Sequence, residues 1–193
     1  KPLGEKLVRQ AMNYAVDKQA IVDAVYFGFA APSKGPLSPV IWGFDPARKA
    51  AYPYNPDKAR ELLKQAGYAD GFDMTIFSDN RTERRSAAEL IQAYLAEVGI
   101  RAQIELMEWS ALLSTSAKGI GGAFMLGWTG TGDADGGLTP VYHSANIGSS
   151  NRFRRKNEAL DALLEKGTAT LDQEARKKVY AEAQELIVED CPL

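Results

Sequence analysis

The sequence predicts an α/β fold in which a mainly parallel central sheet is flanked by helices in three layers. Three observations lead there. Apolar or alternating stretches at residues 72–77, 100–106 and 123–128 read as strands. Helical periodicity separates the first from the second, and again the second from the third. A strand–helix–strand–helix–strand order pairs its strands in parallel through right-handed crossovers, so the carboxyl ends of the strands share one edge.

Each element has its own signal. The first helix carries Leu7, Ala11 and Ala15 on one face, with Val8 and Met12 beside them. Asp17 is the expected N-cap of a second helix bearing Ile21, Val22 and Val25, which should end before Gly28. From Phe29 to Tyr54, Pro32, Gly35, Pro36, Pro39, Gly43, Pro46 and Pro53 break regular structure. A loop of that length is either functional or an ordered surface wrap pinned by Trp42, Phe44 and Tyr52. Asn55-Pro56 starts a third helix, striped by Ala59, Leu62, Leu63 and Ala66 and closed by Gly67. The first strand follows, with Phe72, Met74 and Ile76 alternating against Asp73, Thr75 and Phe77.

A polar loop at 78–85 then leads to a helix bearing Ala87, Leu90, Ile91, Tyr94, Leu95 and Val98. Either Ser86 and Glu89 form its capping box, or Thr82 caps it one turn earlier. Gly99 ends that helix, and Ile100, Ala102, Ile104 and Leu106 alternate as the second strand. A short helix at 109–118 precedes the third strand, 123–128. Leu160, Leu163 and Leu164 stripe the next helix. Val179, Ala183, Leu186 and Ile187 stripe the last, for which Asp172 is the expected cap. The sequence stops at Cys191-Pro192-Leu193 without completing an element, and Lys1 opens directly onto a helical pattern, without a signal peptide.

Composition narrows the function. The 193 residues are 45% hydrophobic and 25% charged, with a formal net charge of -2. That balance belongs to a globular protein and carries no basic footprint for nucleic acid. No apolar run approaches the roughly 20 residues that span a bilayer. One cysteine, Cys191, and one histidine, His143, cannot build a His/Cys zinc site. No G-x-S-x-G elbow or nucleophile–base set is present, and His143 reads as a structural residue, so neither catalysis nor a cofactor is expected.

The densest chemistry lies at Gly127-Trp128-Thr129-Gly130-Thr131-Gly132-Asp133-Ala134-Asp135-Gly136-Gly137. Five glycines, two hydroxyls, two carboxylates and one indole follow the third strand, as a loop where α/β sheets bind ligands. Asp133 and Asp135 have three readings: a divalent-metal pair, partners of a ligand ammonium or guanidinium, or caps of their own turn. Trp128 either stacks on a ligand or packs into the core. The glycine spacing is no dinucleotide fingerprint, and the carboxylates would repel a phosphate. Arg81, Arg84 and Arg85, in the loop after the first strand, suit a ligand carboxylate. Basic and acidic clusters across one crevice suit a zwitterion.

Several stretches resemble the family 5 extracellular solute-binding proteins of ABC importers, which include dipeptide-, oligopeptide-, nickel- and glutathione-binding proteins. They are Val8 to Ile21 (VRQAMNYAVDKQAI), Tyr54 to Tyr68 (YNPDKARELLKQAGY), Leu126-Gly127-Trp128, Asn157 with Asp161-Ala162-Leu163-Leu164, and Tyr180 to Asp190. Thr131 to Asp135 is most similar to the glutathione-binding branch. The resemblance implies that residues 1–193 form one ligand-binding lobe of a larger two-lobed protein. That protein would be periplasmic, or lipid-anchored on a Gram-positive cell, and would deliver a peptide-like solute to a membrane permease. It implies that Arg85, at the position of the dipeptide branch's carboxylate-binding arginine, holds the ligand carboxylate. Where that branch has an amine-binding aspartate after Trp-Thr-Gly, this sequence has Thr131, and Asp133 is the nearest carboxylate. Where an aromatic residue often follows the D-x-D of the glutathione-like branch, Gly136 stands here.

The expected site is therefore Arg85, Trp128, Thr129, Gly130, Thr131, Gly132, Asp133 and Asp135. A metal-dependent D-x-D enzyme, such as a sugar-nucleotide transferase, is the alternative of a different class. A binder of nickel chelates or oligosaccharides is the alternative within the family.

Overall fold

The computed structural model describes residues 2–48 and 52–191; the expectations at Lys1 and at Pro192-Leu193 fall outside them. A short 3-10 turn at Pro2–Gly4 leads into α1 (Lys6–Ala15) and α2 (Lys18–Tyr26). α3 (Pro56–Gln65), β1 (Phe72–Asp79), α4 (Thr82–Glu97), β2 (Ile100–Met107), α5 (Trp109–Lys118) and β3 (Ala123–Phe124) follow in alternation. Three helices close the described chain: α6 (Ala134–Tyr142), α7 (Glu158–Ala169) and α8 (Gln173–Asp190).

The sheet is parallel, in the order β2-β1-β3. β1 and β2 pair from Phe72 opposite Ile100 to Asp79 opposite Met107. Phe72, Met74 and Ile76 bury one sheet face against Val8, Ala11 and Ala15 of α1, Ala59, Leu62 and Leu63 of α3, and Ala88 and Leu95 of α4. Fully buried alanines on α1 and α3 let those helices approach closely. A second cluster joins Leu138 and Tyr142 of α6, Leu160 and Leu164 of α7, and Tyr180, Ala183 and Ile187 of α8. Arg9 and Arg155 tie the two together, both reaching the Asp190 carboxylate at the end of α8.

Where the signal was local, the elements lie where the sequence places them. The Asp17, Asn55 and Asp172 carboxylate or amide oxygens accept the backbone N–H three residues on and start α2, α3 and α8. Residues 29–48 form no helix or strand, and Trp42 and Phe44 pack against the second cluster.

Three expectations are corrected. α4 begins at Thr82, inside the expected loop, and neither a Ser86–Glu89 capping box nor a Thr82 cap starts it. Asp79 instead fixes the turn before it, accepting the N–H of the N-cap residue Arg81 at 3.2 Å and the Arg81 and Arg84 side chains. β3 is two residues long and not six, because Arg84 Nη1 takes the Met125 carbonyl at 3.0 Å and removes the next ladder acceptor. The glycine-rich loop ends at Asp133, and Ala134–Tyr142 is a helix despite Gly136, Gly137 and Pro140.

Those glycines serve packing and not unusual dihedrals. None of Gly127, Gly130, Gly132, Gly136 or Gly137 has positive φ. A Cβ on Gly136 would stand 2.0 Å from Thr131 Oγ1, and one on Gly137 would stand 2.7 Å from Leu37 Cδ2. At Pro140 the missing N–H leaves the Gly136 carbonyl without its helical donor. The Trp128 indole N–H supplies one at 3.1 Å.

Two glycines separate conformational need from close approach. Gly67 has φ +84 with nothing within 4 Å of its would-be Cβ, whereas Gly71 has φ +71 and its Cβ would lie 1.7 Å from Gly99 O. Gly67→Ala should cost about 1 kcal/mol, the left-handed penalty alone. Gly71→Ala adds a backbone clash where β1 and β2 enter the sheet, and should cost roughly 3 kcal/mol or more. Urea denaturation of the two variants checks this; equal losses would mean that the close approach does not require glycine.

Candidate functional site

Because β1 and β3 run parallel, the chain leaves both at the same edge of the sheet. From β1 come Asn80, Arg81 and the first turn of α4; from β3 comes the extended segment 125–133. The arginine-bearing stretch touches the segment after β3 at Met125 O, through Arg84, while the Asp133 and Asp135 side chains at the far end of that segment bond groups of α6, α7 and α8 instead. A groove of about 290 Å³ opens at this edge between the ends of β1 and β2, lined by Asp79, Asn80, Arg81, Met107, Glu108 and Trp109.

Asp79 organises the β1 side. Its buried carboxylate bridges Arg81 and Arg84, and both guanidinium groups lie 5.1 Å from the centre of the Trp109 ring. The hydrogen bond from the Arg81 side chain, more than any other influence, holds the Asp79 carboxyl below the usual carboxylate range. Arg84, which the sequence groups with Arg81 and Arg85 as suited to a ligand carboxylate, is tucked inward. Its side chain is 17% exposed and spans from Asp79 to Met125 O. The reason is the early start of α4, which turns residue 84 toward the sheet. Arg85 lies outside this cluster, 61% exposed, and among the described residues its side chain pairs with Glu89 at i,i+4, 2.9 Å away. An exposed pair of that kind is worth about 0.2–1 kcal/mol, so Arg85 is readily recruited by another anion.

On the β3 side, Trp128, Thr129, Thr131 and Gly132 are exposed and Gly130 is partly covered. Trp128 is 51% exposed, which removes it from the core, and its indole is fixed by the Gly136 carbonyl. Asp133 caps α6 by accepting the Asp135 N–H at 2.9 Å, one of its three readings. It also accepts both Arg176 Nη groups at 2.7 Å each. That bidentate hydrogen bond holds the Asp133 carboxyl low and raises Arg176 further. Asp135 Oδ1 accepts the hydroxyls of Thr139, Thr168 and Tyr180. Burial works to raise the Asp135 carboxyl, and those hydroxyls outweigh it.

The remaining titratable residues are structural. His143 Nδ1 accepts the Ala145 N–H and starts a 3-10 turn, with its other ring nitrogen beside Glu165. Burial pushes the Cys191 thiol up to about 11, which leaves little thiolate at neutral pH.

Arg176, Trp42, Tyr180 and Thr168 escaped sequence reasoning. Arg176 sits 43 residues from Asp133 in an ordinary helical turn, and no local pattern pairs them. The Asp172 cap placed α8 along the chain but carried no signal for the packing that brings Arg176 to Asp133.

The architecture is that of an α/β unit presenting an irregular, hydroxyl- and glycine-rich segment at the carboxyl edge of a parallel sheet. The model of the bacterial extracellular solute-binding proteins, family 5 middle region, matches residues 1–149. The heme-binding protein A of Haemophilus influenzae is 39% identical over 198 residues, covering 99% of this chain and 36% of the relative. A dipeptide-binding protein of Pseudomonas aeruginosa is 36% identical over 199 residues, covering 100% of this chain and 37% of the relative. Among solved structures, the ABC transporter-associated periplasmic binding protein DppA of Helicobacter pylori, in complex with the peptide STSA, superposes with a TM-score of 0.94. It is 37% identical, and the match covers 100% of this chain and 38% of that one. The chain belongs to family 5 of the bacterial extracellular solute-binding proteins. It spans a little over a third of the length of the relatives it matches.

The three depressed carboxylates, Asp79, Asp133 and Asp135, set an acid limit. A folded-state pKa below the unfolded value contributes stability that is present above the unfolded pKa and lost as pH falls through the folded one. With an unfolded value near 3.9, unfolding free energy should stay level above about pH 5 and fall steadily below about pH 4. Asp133→Asn should be less stable than wild type at pH 7 and show a shallower acid slope. Denaturation curves from pH 7 to 2.5 test this; parallel slopes would mean that Asp133 carries none of it.

Proposed function

We propose that this chain is a ligand-binding lobe of the solute-binding component of an ABC importer, and that it captures a peptide-like solute without catalysis. Family membership carries the reading, and the geometry of the sheet edge agrees with it. In this reading the protein works outside the cytoplasmic membrane, periplasmic or lipid-anchored, and hands its solute to a membrane permease. A dipeptide, a short oligopeptide or glutathione is the solute class in this reading, with a carboxylate for Arg85 and polar groups for the hydroxyls and backbone of 128–132.

The site residues divide by availability. We assign ligand contact to Arg85, whose exposed partner is easily exchanged, and to Trp128, Thr129, Gly130, Thr131 and Gly132. Asp133 and Asp135 support that segment from within, since their oxygens already accept Arg176 and three hydroxyls. The same bonds weigh against the D-x-D metal reading: a guanidinium already occupies the place where a divalent ion would sit.

Calorimetry on the full-length protein with dialanine, trialanine, glutathione and hemin tests the solute class, hemin standing for the name of the Haemophilus relative. A peptide should bind and hemin should not compete with it. Arg85→Ala should weaken peptide binding by roughly 30-fold or more, the usual loss when a desolvated charge pair is broken. Amidating the peptide carboxylate should cost as much in wild type and almost nothing further in Arg85→Ala, because both changes delete one interaction. Fully additive losses would show that Arg85 is not the carboxylate partner.

A further inference from the structure

The segment that carries the exposed indole and hydroxyls has no secondary structure of its own. Between β3 and α6 it is held by the Trp128 indole, which donates to Gly136 O at 3.1 Å, and by fastenings at its two ends. At the first end, Met125 N–H donates to Phe77 O at 2.8 Å and Arg84 grips Met125 O. At the second, Trp42 N–H donates to Gly132 O at 2.9 Å, and Asp133 forms the fork with Arg176.

Arg176 is unusually constrained for a helical arginine. Its Nε donates to Gly167 O of α7 at 2.9 Å, so the guanidinium spans α7, α8 and the segment at once. Its carbon Cζ lies 4.7 Å from the Trp42 ring centre and 5.1 Å from that of Tyr180. Those two rings meet edge to face, 6.5 Å apart. The side chain is largely covered. Two ring contacts fix the plane of the guanidinium, and the plane fixes where both carboxylate oxygens of Asp133 must lie. A lysine ammonium is a point charge and would leave that direction undetermined. Gly132 is coupled to the same device through Trp42, which contacts Arg176 with its ring and Gly132 with its backbone.

We propose that Arg176 is a positioning residue for the segment 128–132, setting its place through Asp133 and Trp42 without itself touching solute. This rests on the reading of that segment as a solute-contacting edge. Its consequence is that the order of the segment and the affinity fall by more than the overall stability does. Loosening the fork should free the segment while leaving the α7–α8 pair, held by Leu160, Leu164, Tyr180, Ala183 and Ile187, in place.

Hydrogen exchange and calorimetry on the full-length protein test this with Arg176→Lys, which keeps the charge, and Asp133→Asn, which keeps the shape. In each variant, exchange at residues 128–133 should accelerate about tenfold or more while α7 and α8 keep wild-type protection, as local opening requires. Affinity for the peptide that binds wild type most tightly should fall about tenfold or more, and the double variant should lose little beyond either single one. Unchanged exchange at 128–133 overturns the proposal. So does loosening of α7 and α8 to the same extent as the segment, or global unfolding of both variants, since either makes Arg176 a stability residue only. If no peptide in the panel binds wild type, the solute reading fails by itself, and the exchange measurement still decides whether Arg176 positions the segment.

Discussion

β1 is the constraint on which the other features depend. It is the middle strand, parallel to β2 along its whole length and to β3 at its carboxyl half. Parallel neighbours require crossovers, which α4 and α5 supply, and they deliver every following turn to one edge. The register is pinned by burial. A slip of one residue would exchange Phe72, Met74 and Ile76 with Asp73, Thr75 and Phe77 and send carboxylate and hydroxyl into the core. It would also move Asp79 away from the point where it gathers Arg81 and Arg84. The sheet core and the polar edge are thus set by one alignment.

Two carboxylates hold the irregular segment that crosses this edge. Asp79 acts through Arg84 at the β3 end, and Asp133 acts through Arg176 at the α6 end. Asp79 extends the contact of β1 with β3 beyond their two-residue ladder, and Asp133 ties the segment to α8. Both arginines are largely covered and lie against aromatic rings, conditions under which charge-assisted, forked hydrogen bonds hold direction as well as distance. Arg85 and Glu89 form the contrasting kind of pair, exposed and within one helix, which water screens. The molecule therefore keeps rigid pairs where the backbone lacks secondary structure and a labile pair on the helix face beside it.

Legibility in the sequence followed the range of the interaction. Asp17, Asn55 and Asp172 announced their helices because a cap needs only a backbone N–H three residues away. The alternation in Phe72-Asp73-Met74-Thr75-Ile76 announced β1 for the same reason. α6 was not legible, since Gly136, Gly137 and Pro140 each count against a helix taken alone. Tertiary contacts override that local preference. Thr131 and Leu37 occupy the space a Cβ would need, and Trp128 satisfies the carbonyl that Pro140 leaves open. The D-x-D pair resembled a ligand or metal site because its partners lie far along the chain.

The sequence by itself determined the order of the strands and of every helix but α6, the parallel pairing of the strands and the shared edge, because periodicity and caps act over three or four residues. It also placed the glycine- and hydroxyl-rich segment at that edge. Only the tertiary structure decided which charges remain available there. Asp79 selects Arg84, and Asp133 selects an arginine 43 residues away, because helix packing brings those groups to hydrogen-bonding distance. Such a choice depends on where α4 begins and how α8 packs, and no spacing of residues along the chain encodes either.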